Sequence, residues 1–125
     1  MNGKRRVLIV DDEPVVLGML SEVLDDAGFD VVGQASDGVE GVELARRSRP
    51  DSILLDIRMP KLDGLAAGRQ IRETDRSVRL VFFSAYDDPA LMEEADAIGA
   101  STFLVKGCPL SEIVDALSGR GASKQ

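Results

Sequence analysis

The sequence contains no histidine and only one cysteine, Cys108. Without an imidazole the protein has neither a histidine base nor a histidine metal ligand, so any catalytic or metal site must use other side chains. A single cysteine excludes an intramolecular disulfide and is typical of a reducing compartment. We interpret Cys108 as chemically inert.

Long hydrophobic runs and a signal peptide are also missing. The longest apolar stretches, such as residues 78–85, are far shorter than the roughly 20 residues that a membrane helix requires. No signal-peptide pattern follows Met1. We therefore expect a soluble, cytoplasmic protein that makes no contact with a membrane.

Positive charge is in short supply, since 15 Lys and Arg residues face 22 Asp and Glu residues and the net charge is −7. Such an acidic chain is not expected to bind nucleic acid directly. Its 125 residues, 44% of them hydrophobic, suit one folded domain with a single core. We assign that domain to residues 1–119 and expect residues 120–125 to form a linker or a disordered C-terminal end.

Strand-like and helix-like patterns alternate five times along the chain. This alternation predicts an α/β fold in which a doubly wound parallel sheet carries helices on both faces. The predicted strands are residues 6–10, 30–34, 52–56, 78–83 and 102–105. The stretch 52–56 is an uninterrupted apolar run that ends in Asp56, as expected for a strand buried on both faces.

Acidic residues or prolines stand where the predicted helices begin. Asp37 with Glu40 three residues later resembles a capping box, and Asp63 is a cap candidate for the third helix. Residues 87–89 and Pro109 open the last two helices. The helix after Asp37 carries four apolar residues before Pro50: Val39, Val42, Leu44 and Ala45.

Polar side chains stand at the ends of four of the five predicted strands: Asp11 and Asp12, Asp56, Ser84 and Lys106. The carboxyl ends of parallel strands meet at one edge of a sheet, where ligands of open α/β folds bind. Three carboxylates gathered there would repel one another unless a cation held them. Mg²⁺ prefers oxygen ligands and keeps positions for water or phosphate, so the pattern suits phosphoryl chemistry.

Each of these residues also has a structural interpretation. Asp12 could cap the first helix, Ser84 could be a turn residue, and Lys106 could be a solvated strand end. Phe103, in the last strand, is by composition a core residue. The convergence of polar groups on four strand ends favours a shared site over four separate structural roles.

The motifs in combination resemble those of the receiver domain of two-component response regulators, and the resemblance covers essentially the whole chain. The matching motifs are Val10-Asp11-Asp12-Glu13-Pro14, Leu54-Leu55-Asp56-Ile57-Arg58-Met59-Pro60, Asp63-Gly64, Phe83-Ser84-Ala85, Gly99-Ala100 and Phe103-Leu104-Val105-Lys106. The resemblance implies a flavodoxin-like (βα)5 fold, as in CheY, with five strands in the order 2-1-3-4-5.

The resemblance also implies roles for the acidic residues. Asp56 would be the phosphoacceptor, attacking the phosphohistidine of a sensor histidine kinase or a small phosphodonor. Asp12, Asp56 and the backbone carbonyl of Arg58 would ligate Mg²⁺. Asp11 would contribute to the metal site through a bound water.

Three further residues receive roles by the same resemblance. Lys106 would pair with one phosphoryl oxygen, Ser84 would donate its hydroxyl to another, and Phe103 would be the rotamer switch behind Ser84. The surface of helix 4, strand 5 and helix 5 would then change shape and meet an effector domain, a partner protein or a second copy in a homodimer. Such a switch is not an enzyme beyond its own phosphorylation and dephosphorylation.

The region after Lys106 departs from the usual family pattern. Gly107 stands where a proline is common, and Pro109 follows two residues later. This arrangement resembles the subgroup with a LuxR-type, NarL-like DNA-binding effector, so we expect a transcriptional output domain beyond Gln125. Arg58 and Tyr86 occupy positions at which the family tunes the lifetime of the phosphorylated state.

Two other functions compete with this interpretation. A Mg²⁺-dependent phosphatase of the haloacid dehalogenase type also uses a strand-end aspartate, but it needs a second aspartate where this chain has Arg58. A nucleotide or flavin module would require a glycine-rich turn after the first strand, and that turn here is acidic and contains Pro14. Turnover of a phosphate ester would distinguish the phosphatase from the switch.

Overall fold

Five parallel strands, each followed by a helix, account for most of residues 3–119, the part of the chain that this computed structural model describes. The elements are β1 (Arg6–Val10), α1 (Pro14–Asp26), β2 (Asp30–Ala35), α2 (Gly38–Ser48), β3 (Ser52–Asp56), α3 (Gly64–Thr74), β4 (Arg79–Ser84), α4 (Pro89–Ile98), β5 (Thr102–Val105) and α5 (Leu110–Ser118). The strand order β2-β1-β3-β4-β5 confirms the predicted flavodoxin-like sheet. The expected C-terminal linker lies outside the described residues.

Two apolar layers cover the sheet, because successive side chains of a strand point to opposite faces. The layer beneath α1 and α5 contains Val7, Ile9, Leu54, Val81 and Leu104 from the strands with Leu20, Leu24, Ile113 and Leu117 from the helices. The layer beneath α2, α3 and α4 contains Leu8, Val10, Ile53, Leu55, Leu80 and Phe82 with Ile71, Ala95 and Ile98. With both faces covered, the polar strand ends meet only at the carboxyl edge of the sheet.

The observed boundaries differ from the predicted ones by one residue at the strands. β2 continues to Ala35, and β4 begins at Arg79 and includes Ser84. No helix within residues 3–119 has the length and apolar character needed to cross a lipid bilayer.

Val39 of α2 faces solvent and not the core, since it is 55% exposed. Small residues decide which side of α2 faces the sheet. Gly38 and Gly41 are buried, and a Cβ on Gly41 would lie 3.1 Å from a methyl of Val10. The helix therefore approaches β1 closely at Gly41 and the backbone of Leu62 closely at Gly38, which leaves Val39 on the outer side.

The helix caps agree with the sequence except at the first helix. Asp37 accepts a hydrogen bond from Glu40 N at 2.8 Å, and Asp63 accepts one from Ala66 N at 2.9 Å. At α1 the capping position is Glu13, which makes no side-chain cap bond. The structural alternative for Asp12 is therefore wrong, because Asp12 does not cap this helix.

Candidate functional site

Three carboxylates meet at the carboxyl edge of the sheet. Asp56 is the last residue of β3, and Asp11 directly follows β1, whose Val10 is in register with Leu55 of β3. One carboxylate oxygen from each of Asp11, Asp12 and Asp56 lies within 4.8 Å of the others. Asp11 and Asp56 are buried and Asp12 is exposed, so the cluster is a pocket with one open side.

Lys106 reaches this cluster from the end of β5. Its Nζ lies 3.0 Å from Asp11 Oδ2 and 3.4 Å from Asp56 Oδ2. The backbone N–H of Lys106 donates to the carbonyl oxygen of Ser84 at 2.7 Å, which fixes the start of the side chain beside β4. Lys106 is therefore not a solvated strand end, and it contacts carboxylates at the ends of two other strands.

The surroundings of the pocket raise the pKa values of both Asp56 and Lys106. Burial, and then the negative charge of Asp11, raise the pKa of Asp56 from 3.8 to about 6, although Lys106 opposes this shift. Burial acts to lower the pKa of Lys106, but its contacts with Asp11 and Asp56 outweigh burial and raise that pKa. At neutral pH the lysine is charged, while Asp56 is close enough to its pKa to respond to any added cation.

The residues of the pocket fit a hard divalent cation. Within the described part of the chain, Asp11 Oδ2 is buried and accepts no hydrogen bond, so its contact with Lys106 is an ion pair without hydrogen-bond geometry. The other oxygen, Asp11 Oδ1, accepts the N–H of Glu13 at 2.9 Å, which fixes the orientation of the carboxylate. One lysine cannot balance three carboxylates, and oxygen donors of this kind are those that Mg²⁺ prefers.

Ser84 and Phe103 lie on the same face of the sheet. Ser84 ends β4 and is 1% exposed, and its Oγ accepts the N–H of Tyr86 at 3.0 Å. Phe103 is in register with Phe82, two residues before Ser84, and it packs against the core layer beneath α4. Because strand side chains repeat every two residues, Phe103 stands diagonally next to Ser84. Their roles in switching stay predictions.

Arg58 and Tyr86 contact each other near the carboxyl ends of β3 and β4. The Arg58 guanidinium carbon lies 4.9 Å from the centre of the Tyr86 ring, which is a cation–π distance. This contact joins the loop after β3 to the loop after β4. The sequence indicated both positions but not the contact, because loop residues distant in sequence give no pattern of pairing.

Gly64 is a site residue for which the sequence predicted no role of its own. A Cβ at this position would lie 1.9 Å from the backbone oxygen of Asp56, and the Gly64 N–H donates to the carbonyl oxygen of Ile57. The loop of residues 56–64 therefore closes directly on the end of β3. The sequence feature that could have indicated this role was the position of the glycine next to the capping residue Asp63.

Comparison with known proteins agrees with this geometry. A family model described as the response regulator receiver domain matches residues 7–118. The chain therefore belongs to the response regulator receiver domain family, whose members are phosphorelay signalling modules of two-component systems. Receiver domains bind Mg²⁺ at an acidic pocket and interact with histidine kinases and effectors.

The relatives include proteins of two different lengths. The chain is 37% identical over 114 residues to the chemotaxis protein CheY of Thermotoga maritima, covering 91% of this chain and 95% of CheY. It is 38% identical over 113 residues to the transcriptional regulatory protein PdtaR of Mycobacterium tuberculosis, covering 90% of this chain and 55% of PdtaR. The chain thus spans about half the length of PdtaR.

Solved structures share the fold closely. CheY in the CheX–CheY–BeF3–Mg complex of Borrelia burgdorferi superposes with a TM-score of 0.87 at 31% identity, covering 92% of this chain and 87% of that one. The receiver domain of the response regulator NarL of Mycobacterium tuberculosis has a TM-score of 0.85 at 35% identity, with 98% of both chains covered.

Proposed function

We propose that this chain is a phosphorylation-activated switch in which Asp56 accepts a phosphoryl group from a sensor histidine kinase or a small phosphodonor. The observation that carries the proposal is the position of Asp56, buried at a strand end with Lys106 Nζ 3.4 Å from its carboxylate. An ionised carboxylate oxygen forms the new bond to phosphorus while the bond from phosphorus to the donor's leaving group breaks.

The chain supplies alignment and positive charge for this transfer. Asp12, Asp56 and the backbone carbonyl of Arg58 would hold Mg²⁺, with Asp11 contributing through a water, and the ion supplies charge neutralisation at the phosphoryl oxygens. Lys106 pairs with another phosphoryl oxygen. The buried carboxylates support this assignment, because the Lys106 ammonium, 3.0 Å from Asp11 Oδ2, supplies one positive charge against three negative ones.

Phosphorylation of Asp56 then changes the contacts of Ser84 and Phe103. An aspartyl phosphate adds charge and acceptor oxygens, and the Ser84 hydroxyl moves to donate to one of them. That movement breaks the bond that Ser84 Oγ accepts from Tyr86 N–H and opens space for Phe103 to turn inward. The surface formed by α4, β5 and α5 changes and presents itself to an effector or to a second copy.

We infer a cytoplasmic protein in which residues 1–119 are the receiver domain and residues 120–125 are a linker or a C-terminal end. The likeness to PdtaR, a transcriptional regulatory protein of which this chain spans about half, supports a transcriptional output domain beyond Gln125. The receiver itself makes no direct nucleic-acid contact, in agreement with its net charge of −7. The alternative is that the chain acts, as CheY-like proteins do, on a separate partner protein.

The phosphoacceptor is tested by incubation with acetyl phosphate and Mg²⁺ followed by intact mass measurement. We expect the natural chain to gain the mass of one phosphoryl group and Asp56→Asn to gain none. Asp63→Asn is the matched control, because asparagine caps a helix as well as aspartate does and Asp63 lies in the same loop. A phosphoryl group that persists in Asp56→Asn would show the wrong acceptor.

The switch is tested by the backbone amide spectrum with and without phosphorylation or beryllofluoride. We expect shifts throughout residues 84–106, which contain Ser84, α4 and Phe103. An unchanged spectrum there would contradict the conformational part of the proposal. Steady turnover of p-nitrophenyl phosphate would favour the phosphatase alternative, and we expect none.

A further inference from the structure

Residues 35–38, where β2 ends and α2 begins, lie between two of the segments that form the acidic pocket. On one side, the N–H of Asp11 donates to the carbonyl oxygen of Ala35 at 3.0 Å. On the other side, Gly38 lies directly against the loop that follows β3, because a Cβ on Gly38 would stand 1.9 Å from the carbonyl oxygen of Leu62. We call residues 35–38 the β2–α2 junction. It contacts the segment after β1 and the loop after β3 at the same time.

Close packing also fixes α2 against the sheet. Gly41 lies three residues after Gly38, so the two glycines share one face of the helix. A Cβ on Gly41 would lie 3.1 Å from a methyl of Val10, the residue directly before Asp11. The same face of α2 therefore touches the strand that leads into the acidic pocket and the loop that leads out of it.

The part of the loop that meets the junction is a tight and strained turn. The Leu62 N–H donates to the carbonyl oxygen of Pro60 at 2.7 Å, and Lys61 between them has φ 70°. A hydrogen bond that spans one residue of positive φ defines the rare form of the γ-turn, in which a side chain is strained. Lys61 Nζ lies 3.5 Å from Asp37 Oδ2 of the junction. Because such strain persists only where neighbouring groups hold it, the contacts of Asp37 and Gly38 have a structural purpose.

The turn lies close to the Arg58 carbonyl in the chain. Arg58 and Met59 alone separate residues 60–62 from Ile57, whose carbonyl oxygen accepts the N–H of Gly64 at 2.6 Å. Met59 packs against the core layer beneath α2, α3 and α4. With Ile57 and Met59 both held, a displacement of the turn has to be taken up in the backbone around Arg58.

We propose that the β2–α2 junction positions the Mg²⁺ site, by holding the segment after β1 and the Arg58 carbonyl at the separation that the ion requires. Gly38 and Lys61 are positioning residues, and neither is a metal ligand. The inference rests on the proposed function, which assigns the ligands of Mg²⁺. Mg²⁺ demands nearly ideal octahedral geometry, and replacing a group that orients its ligands typically lowers metal affinity by roughly 10–100-fold.

The first test compares Gly38→Ala with Gly33→Ala. The full chain is titrated with MgCl₂ alone and followed by backbone amide shifts, and its stability is measured in urea with EDTA. We expect Gly38→Ala to bind Mg²⁺ at least about tenfold more weakly than the natural chain. Gly33→Ala is the matched control in β2, because its Cβ would meet only the side-chain ends of Leu8 and Leu44, at 3.1 and 3.6 Å.

Gly33→Ala can change the stability, but its Mg²⁺ affinity should stay within about twofold of the natural value. A role of Gly38 in packing alone would lower the stability of Gly38→Ala without changing its affinity for Mg²⁺. An equal loss of affinity in the two variants would therefore overturn the proposal.

Lys61 allows a test with little risk of unfolding, because its side chain is 69% exposed. Lys61→Val and Lys61→Gly both remove the contact with Asp37, but only glycine adopts a positive φ without strain. We expect Lys61→Val to weaken Mg²⁺ binding about tenfold and Lys61→Gly to keep the affinity of the natural chain. Equal affinities in these two variants would contradict the proposal.

Failure of this inference and failure of the proposed function give different results. If Gly38→Ala and Lys61→Val bind Mg²⁺ as tightly as the natural chain, the junction does not position the site, while Asp56 can still be phosphorylated. If the natural chain binds Mg²⁺ with the expected losses in both variants but is not phosphorylated at Asp56, the proposed function is wrong and the junction keeps its role. A natural chain that binds no Mg²⁺ would overturn both.

Discussion

The polar groups at the two edges of the sheet differ in how completely they are paired. At the amino edge, the buried Ser52 hydroxyl donates to Leu117 O at 2.8 Å, and Asp51 Oδ2 accepts the N–H of Arg6 at 2.8 Å. Arg79 Nε donates to Ala116 O there, although its Nη2 has no partner within the described residues. At the carboxyl edge, Asp11 Oδ2 accepts no hydrogen bond and the pKa of Asp56 is raised.

This difference separates groups that stabilise the fold from groups that serve the site. Polar groups at the amino edge are mostly paired and tie distant segments together. Those at the carboxyl edge are crowded, buried and only partly neutralised by Lys106, which is unfavourable until a cation or a phosphoryl group arrives. Four substitutions test this difference between the two edges.

The largest effect is expected at the carboxyl edge for Gly64→Ala. Because a Cβ would lie 1.9 Å from the backbone oxygen of Asp56, the loop of residues 56–64 must shift. We expect a loss of more than about 3 kcal/mol in the free energy of unfolding, measured in urea, and a loss of Mg²⁺ affinity.

Gly18→Ala is the control for this change. Gly18 lies inside α1, and a Cβ added to it would have no atom within 4 Å, so alanine should stabilise the protein by about 0.5–1 kcal/mol. Equal effects of the two substitutions would show that the loop does not depend on close approach at Gly64.

The next effect is expected at the opposite end, for Arg72→Gln. The Arg72 guanidinium donates to carbonyl oxygens of the loop after α3 and to Gly99 O at 2.9 Å, and so ties that loop to the end of α4. We expect the free energy of unfolding to fall by about 2–3 kcal/mol while acetyl phosphate still phosphorylates Asp56. Arg69→Gln, an exposed position in the same helix, should change stability by less than about 0.5 kcal/mol.

Asp56→Asn is expected to have a smaller effect of opposite sign: in the absence of metal it should raise the free energy of unfolding. The folded protein holds a proton on Asp56 up to a pKa of about 6, whereas the ordinary value is 3.8. Between these values the folded state binds more protons than the unfolded state, so the free energy of unfolding falls as pH rises. Asparagine does not ionise, so the Asn variant does not lose this stability as pH rises.

Urea unfolding in EDTA should therefore give similar stabilities for the two proteins near pH 4. Above pH 6 the Asn variant should be more stable by about 1–2 kcal/mol. Mg²⁺ should remove most of the difference by favouring the ionised Asp56 of the natural chain. A constant difference across the pH range would contradict the raised pKa.

The smallest effect is expected for Arg58→Gln, which removes the cation–π contact with Tyr86. Tyr86 is 54% exposed, and such contacts at exposed sites contribute less than about 1 kcal/mol. Because the chain has one tyrosine and no tryptophan, its fluorescence reports on Tyr86 alone. We expect the emission to change in Arg58→Gln and to stay the same in Arg69→Gln; identical emission would show no persistent contact.

The alternation of elements was enough to predict the fold, and strand-end positions were enough to predict the acidic pocket. Strands buried on both faces leave a strong apolar pattern, and the acids that follow them are local features of the sequence. The helix caps at Asp37 and Asp63 were equally local and were confirmed. The roles of Ser84 and Phe103 stay predictions, although the structure brings the two residues to one face of the sheet.

Packing between segments decided two features that local sequence patterns did not. The apolar pattern of α2 did not show that Val39 faces solvent, because the close approach of Gly41 to Val10 sets which side of the helix meets β1. Position suggested Asp12 as a cap, but α1 begins at Pro14 after Glu13, and it is Asp11 that accepts a local backbone bond. Neither outcome depends on a residue's immediate neighbours alone.

The order of the elements and the residues at the strand ends were determined by the sequence itself, because apolar periodicity, caps and strand-terminal charges are encoded within a few consecutive positions. Only the tertiary structure decided the 3.0 Å ion pair between Lys106 and Asp11 and the contact of Arg58 with Tyr86. Those features join residues that are far apart in the chain, and their distances are set by how helices pack on the sheet.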